Sequence, residues 1–301
     1  MRTGYLAPEG FEEQLAAELP KSAERIGRLF LVDGAPLIAA WAQNIWYNPE
    51  IISFSSVSDA AKQLRERGSL WAFYPLQFVR KGSLIVEKLP YFSSKPLAFP
   101  CTLPKAPLGS WMILDEKTLL ASPNCSSPFP HGVPNFIQSE IPPSRAYLKL
   151  WELFTLIGEM PKAGDRCLEI GASPGGWTWV LEKLGANVLA VDRAPLAPEI
   201  VALENVSFLQ KDAFTIEPDS RVQWLFSDAA CYPEKLLRWL EKWLAAGTNT
   251  HFVCTLKFQG KENYGILKEF EKIKNSRIFH LSHNKHELTW YLPQLIVDAS
   301  L

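Results

Sequence analysis

Between residues 166 and 177 the chain reads RCLEIGASPGGW, an apolar run that breaks into a glycine-rich turn: Glu169, Ile170, Gly171, Ala172, Ser173, Pro174, Gly175, Gly176 and Trp177. Glycine lets a backbone approach a ligand closely, and a turn between a strand and a helix is where doubly wound sheets hold nucleotides. Three further acids, Asp192, Asp212 and Asp228, each close an apolar run. Carboxylates at the carboxyl ends of neighbouring parallel strands share one edge of a sheet, where they can take ribose hydroxyls or a cation. Singly, each of these features is also what a tight turn, a helix cap or a solvated surface acid looks like. The turn departs from G-x-G-x-x-G. Ser173 stands in the middle glycine's place, Pro174 follows it, and the acid Glu169 precedes the first glycine. A phosphate wants an unobstructed helix start. This turn instead suits a ligand that carries positive charge and no phosphate. S-adenosylmethionine, with a sulfonium and an ammonium, has that chemistry, whereas a nicotinamide dinucleotide does not.

The elements that must present these groups are legible as alternating runs. Strands are expected at 166–171, 187–192, 206–211, 222–227, 250–257, 276–281 and 287–292, with helices at 175–185, 233–246 and 261–274. A helix over 144–158, opened by Ser144 as N-cap, precedes them. Strand–helix alternation with near-continuous apolar strands predicts an α/β fold with a mostly parallel, Rossmann-like sheet covered on both faces. Only a short polar loop joins the last two strands, so the final strand is expected to run antiparallel at one side of the sheet.

The 301 residues, 47% of them hydrophobic, suffice for two medium domains. With 31 Lys+Arg against 32 Asp+Glu the net charge is −1, which excludes a uniformly basic nucleic-acid coat but not a local basic groove. Residues 121–143 are rich in Pro, Ser and Asn and are expected to be a linker between a smaller N-terminal α+β domain (1–120) and the larger domain (144–301). In the smaller domain, 10–19 reads as an amphipathic helix and 27–32, 71–79 and 83–87 as strands. The five cysteines form no C-x-x-C pair, so a reducing, cytoplasmic setting is expected. No apolar run approaches the ~18 residues of a spanning helix, and no membrane partner is expected. His280, His283 and His286 recur every third residue, but a strand and its loop would not aim them at one centre, and no metal is expected.

SRAYLKL (144–150), EIGASPGGWT (169–178), SDAA (227–230), LKF (256–258) and HELTWYL (286–292) resemble the FtsJ-like ribose 2′-O-methyltransferases. GFEEQLAAEL and NCSSPFPHGVPNF, before PSRAYLKL, are similar to the RlmM family, an FtsJ-type domain behind a THUMP-containing RNA-binding region. The resemblance covers 144–292 and touches 10–19 and 124–143; the stretch 40–120 is shorter than that family's N-terminal arrangement. It implies a catalytic tetrad of Lys149, Asp228, Lys257 and Glu287, and a cofactor site of Ser144, Glu169, Gly171, Ser173, Pro174, Gly175, Gly176, Trp177, Asp192, Asp212 and Asp228. It implies S-adenosyl-L-methionine as donor and a cytidine ribose of 23S ribosomal RNA as acceptor; the oligomeric state is open, with a monomer favoured. Methyl transfer from a sulfonium is an in-line displacement, so the acceptor oxygen must be aligned and its proton removed. Lys257 is the expected base, in its neutral form, with Lys149 as a neighbouring charge and the two acids orienting the lysines. Trp177, Tyr232 and Phe258 neighbour the motifs and could stack RNA bases, although packing inside the sheet is the stronger reading of each, and Arg80, Lys81, Lys88, Lys95 and Lys105 are either phosphate contacts or a solvated face. Two other readings stay open: a 2′-O-methyltransferase for transfer RNA or a cap, and an RNA-binding assembly factor that keeps the pocket without the chemistry.

Overall fold

The computed structural model describes residues 1–92, 95–258 and 264–294. The chain divides into two units, Met1–Ile137 and Gln138–Leu301.

The first unit carries β1 (Arg2–Leu6), α1 (Glu12–Glu18), β2 (Glu24–Ile26), β3 (Leu29–Asp33), β4 (Asn44–Tyr47), β5 (Glu50–Ser53), α2 (Val57–Arg67), β6 (Trp71–Phe73), α3 (Val79–Val86), β7 (Gly109–Ile113), β8 (Thr118–Ser122) and β9 (Asn124–Cys125). They form a five-stranded sheet in the order β2-β3-β1-β4-β9 and a four-stranded sheet in the order β5-β8-β7-β6. The hairpin β7–β8 is apolar at consecutive positions because both its faces are covered. Trp111 and Leu119 enter a core with Leu64, Trp71 and Ile85, while Met112 and Leu120 enter another with Leu6, Leu29 and Trp46.

Two expectations fail in this unit. The supposed linker over 121–143 begins inside it: Ala121 is buried in β8, and Asn124–Cys125 pairs with β4. Proline and serine there mark short edge strands and turns of a folded unit. The run 83–87, expected as a strand, lies mostly in α3, where Gly82 and Ile85 are buried and Leu84 and Val86 exposed. A five-residue apolar run does not distinguish the two periods; packing against α2 and β6 does.

The second unit carries α4 (Tyr147–Ile157), β10 (Arg166–Ile170), α5 (Gly176–Lys183), β11 (Asn187–Asp192), α6 (Pro198–Val201), β12 (Val206–Gln210), β13 (Trp224–Ser227), α7 (Pro233–Ala245), β14 (His251–Lys257), α8 (Leu267–Glu271), β15 (Arg277–Phe279) and β16 (Glu287–Leu292). Its sheet runs β12-β11-β10-β13-β14-β16-β15. The first five strands are parallel; β16 is antiparallel to both neighbours. This is the α/β architecture expected, with a mostly parallel sheet. The final strand, though, does not lie at the border. Its ELTWYL is buried at five of six positions and takes the place beside β14, leaving the short, less buried β15 outside. Strand order reverses between β10 and β13, which opens a crevice at their carboxyl ends. Ser144 does not cap α4, whose N-cap is Ala146 without a side-chain bond. Of the helix expected over 261–274, residues 261–263 lie outside the described residues, 264–266 form a 3₁₀ turn, and α8 ends at Glu271. No helix among the described residues is long and apolar enough to cross a membrane.

Candidate active site

Strand alternation gathers the charged groups. The register pairs Phe226 with Val253, Thr255 with Thr289, and Lys257 with Glu287. Side chains two apart share a face, so Lys257 and Glu287 end one face of the sheet, and Asp228, two beyond Phe226, joins them. α4 covers that face: the Phe154 ring meets those of Trp224 and Phe226 edge-on, at 5.9 and 6.2 Å. The helix is buried from Tyr147 to Thr155 and is apolar apart from Lys149, Glu152 and Thr155. Each charge in so dry a helix needs a partner.

Lys149, 5% exposed, donates to both oxygens of Asp228 at 3.1 Å and to Oε1 of Glu287 at 2.9 Å. Lys257 lies 3.0 Å from Oδ1 of the same Asp228 and donates to its backbone carbonyl at 2.6 Å. Four side chains drawn from α4, the end of β13, the end of β14 and the start of β16 thus meet around one carboxylate. Burial pushes the Lys149 ammonium toward neutrality, but the Asp228 and Glu287 carboxylates outweigh it and leave its pKa above the ordinary lysine value. Burial likewise pushes Asp228 up, and the two lysines overcome it, holding the carboxyl below its usual range. Lys149 is therefore a fixed cation and Asp228 a fixed anion. Trp177 walls the pair: its ring lies 5.4 Å from the Lys149 Nζ, and its indole N–H donates to the Ala146 carbonyl at 2.9 Å. Being 2% exposed, Trp177 offers no face to RNA, and Phe258 is buried too; Tyr232, 58% exposed, stands at the start of α7, four residues past Asp228.

The glycine turn is built by contacts as tight as its composition suggests. Gly171 has φ +73°, and a β-carbon there would lie 2.3 Å from the Ala229 Cα; only glycine lets this turn pass under the 228–230 loop. A β-carbon on Gly176 would lie 2.3 Å from the Ser144 hydroxyl, which is buried and has no hydrogen-bond partner among the described residues. Gly175 caps α5 with left-handed backbone. Pro174 accepts from the Ala197 amide through its carbonyl. Asp192 accepts from the Ser173 amide at 3.0 Å and from the Ala194 amide at 2.9 Å, and Asp212 accepts from the Phe214 amide at 3.0 Å.

A cavity of about 270 Å³ opens at this edge, lined among others by Gly171, Ser173, Asp192, Asp212, Asp228 and Lys257. Glu169, Pro174, Gly175, Gly176, Trp177 and Ser144 do not line it; they shape the turn behind it. Glu169 is 1% exposed, accepts from the Thr178 hydroxyl at 2.6 Å, and is pushed up to about 8 by burial, with Asp228 and Asp192 adding to the shift. The cavity also holds Arg193, Phe214 and Lys235, which sequence reading did not single out; Lys235 sits 4.2 Å above the Phe214 ring. Their signal was position alone, within three residues of a strand-end acid or in the first turn of the next helix. A larger cavity, about 860 Å³, lies at the opposite edge, where strands begin, and contains none of the four charged groups. The histidines separate: the His283 Nδ1 is 3.9 Å from Glu152, His286 meets the Tyr264 hydroxyl at 2.9 Å, and His280 is buried and lowered to about 4 by that burial. Among the described residues no three His, Cys, Asp or Glu gather as metal ligands.

Residues 142–280 match the model of the FtsJ-like methyltransferases. Over that stretch, a little under half of its length, the chain is similar to that family. Its relatives include the ribosomal RNA large subunit methyltransferase M of Azoarcus sp. (strain BH72), 32% identical over 182 residues, which are 55% of this chain and 50% of that one. In such alignments the chain spans about half the relative's length. The protein of the same name from Xanthomonas campestris pv. campestris (strain B100) is 27% identical over 337 aligned positions, covering 93% of this chain and 96% of the relative. Among solved structures, a SAM dependent methyltransferase from Aquifex aeolicus aligns with 50% of this chain and 92% of its own, at 20% identity and a TM-score of 0.34.

Proposed function

We propose that this FtsJ-like protein methylates a ribose 2′-hydroxyl of large-subunit ribosomal RNA, a cytidine of the 23S molecule, using S-adenosylmethionine. The observation that carries the reading is the convergence of Lys149, Asp228, Lys257 and Glu287 beside a cavity at the strand-order switch. The residues present fit the donor. Asp192, Asp212 and Asp228 face the cavity, which favours a cation, and the Ser173 amide, which a phosphate-binding turn would offer outward, is already bonded to Asp192. When bound, the donor supplies an electrophilic methyl group on a sulfonium.

In this reading the side chains divide the remaining work. Lys257 accepts the 2′-hydroxyl proton as the oxygen attacks, and only its neutral amine can do so. Asp228 holds Lys257 through its carboxylate and its carbonyl, so the amine stays aimed at the acceptor. Lys149 stays charged and neutralises the two carboxylates around it. Glu287, opposite Lys257 in the register, orients the ribose. Tyr232 stacks an RNA base at the rim, since single-stranded nucleotides are read by stacking on aromatics. The first unit supplies RNA contacts from α3 and the residues just past it, where Arg80 and Lys88 are exposed.

The test is transfer of tritiated methyl groups to total RNA from cells lacking this protein. Wild type is expected to label large-subunit RNA, and Lys257→Ala to lose at least about a hundredfold in rate while still binding S-adenosylmethionine in a calorimeter. Equal labelling by the variant sinks Lys257 as base. Donor binding without labelling by wild type favours the assembly-factor reading.

A further inference from the structure

We infer that Glu152 is a positioning residue, which acts on the reaction by holding the β15–β16 connection so that Glu287 stays against Lys149; the inference rests on the reading above. Glu152 is 2% exposed, in the middle of α4, and one helical turn beyond Lys149. Residues three apart lie on one side of a helix. Both reach the same neighbour: Lys149 takes Glu287 at the start of β16, and Glu152 takes the turn that leads into it. Glu152 accepts from the Ser282 backbone N–H with both oxygens, at 3.0 and 2.9 Å, and from the Ser282 hydroxyl at 2.5 Å. The His283 Nδ1 lies 3.9 Å away. The turn is closed by its own bonds, the Asn284 amide to the Leu281 carbonyl and the Asn284 side chain to Thr289 of β16.

A loop between two strands is ordinarily the part of a sheet freest to move. Here it is fastened to a buried helix five residues before Glu287. Were it loose, Glu287, the first residue of β16, would be held by its pairing with Lys257 at the end of the strand and by the ion pair it is supposed to make. A carboxylate with no lysine or arginine among the described residues within ion-pair distance, spent on one serine and a histidine, is a costly way to pack a helix. It is an economical way to give two ends of one short segment, Ser282 and Glu287, fixed distances from one helix.

The experiment is a double-mutant cycle on the full chain with Glu152→Gln and Glu287→Gln, read in two ways. The first readout needs no activity. Lys149 is labelled by reductive methylation and quantified by mass spectrometry. Glu152→Gln is expected to raise the Lys149 labelling rate severalfold, as Glu287→Gln does, with no further rise in the double variant. The second is methyl transfer to total RNA. Glu152→Gln is expected to lower kcat about tenfold, to leave S-adenosylmethionine affinity unchanged, and to cost nothing more in the Glu287→Gln background. Ser282→Ala, which removes one of the two donors, should show the same pattern more weakly, and guards against a Glu152 variant that fails to fold. Unchanged Lys149 labelling in Glu152→Gln, or losses that add across the cycle, overturns the inference. Absence of transfer by wild type overturns the proposed function instead and leaves the labelling result to decide this one.

Discussion

At the scale of single residues the site is an exercise in burying charge. Two lysines and two carboxylates leave each other little unpaired charge, and the cost of taking them from water is offset only while all are present. Lys149→Met removes the cation that two carboxylates share. It is expected to lose about 3–5 kcal/mol of stability, measured by urea unfolding, as well as activity. Glu169 makes a different prediction. Its carboxyl, raised to about 8 by burial, keeps its proton in the folded chain well above the ordinary glutamate value of 4.5. Between those values the folded state binds more protons than the unfolded one, so this group's stabilising contribution is complete below about pH 4.5 and is lost as pH rises toward 8, at up to roughly 1.4 kcal/mol per pH unit. Glu169→Gln is expected to flatten that fall. Melting temperatures of wild type and variant, compared at pH 5 and pH 8, check it; equal slopes would show that Glu169 is ionised throughout.

At the scale of elements the active site depends on where strands end and how tightly the turns between them pass. α5 begins so close to the Ser144 hydroxyl that a methyl group on Gly176 has no room. Gly176→Ala is therefore expected to push the 144–146 segment away and weaken S-adenosylmethionine binding about tenfold, and adding Ser144→Ala should recover most of it. Calorimetric titration of the single and double variants tests this; no recovery would show that the turn itself, rather than the contact, is disturbed. The β15–β16 hairpin matters for the same reason. Inserting β16 beside β14 brings Glu287 opposite Lys257; had β16 taken the border position, its first residue would have faced β15 instead.

At the scale of the whole molecule, a net charge of −1 over 301 residues leaves no general attraction for RNA. Affinity must come from local groups. Lys81, one of the candidates, is partly engaged: it donates to the Glu116 carbonyl at 2.9 Å and lies 5.5 Å from the centre of the Phe78 ring. Arg80 and Lys88 are exposed on and beside α3. Replacing both by alanine is expected to weaken RNA binding severalfold and to lower the slope of log K against log salt by between one and two, with donor affinity untouched. Filter binding across a salt series measures it, and an unchanged slope would place the RNA elsewhere.

The local character of the second unit lay in the sequence because it is carried by short-range pattern. Near-continuous apolar runs, their alternation with helical stretches, the glycine break and the acids after several runs located β10 to β14 to within a few residues, and the departure of EIGASPGGW from a dinucleotide fingerprint pointed to a cationic ligand. The tetrad came from likeness to a family, since no spacing within one chain links Lys149 to Glu287. Tertiary structure decided what depends on partners distant in sequence. It placed β16 inside the sheet, made a strand of the supposed linker and a helix of SLIVE, and turned Trp177 inward. It also gave Glu152 its role: a charge in an otherwise apolar helix announces that a partner exists, but the partner, Ser282, is 130 residues away, and only the folded chain brings the two together.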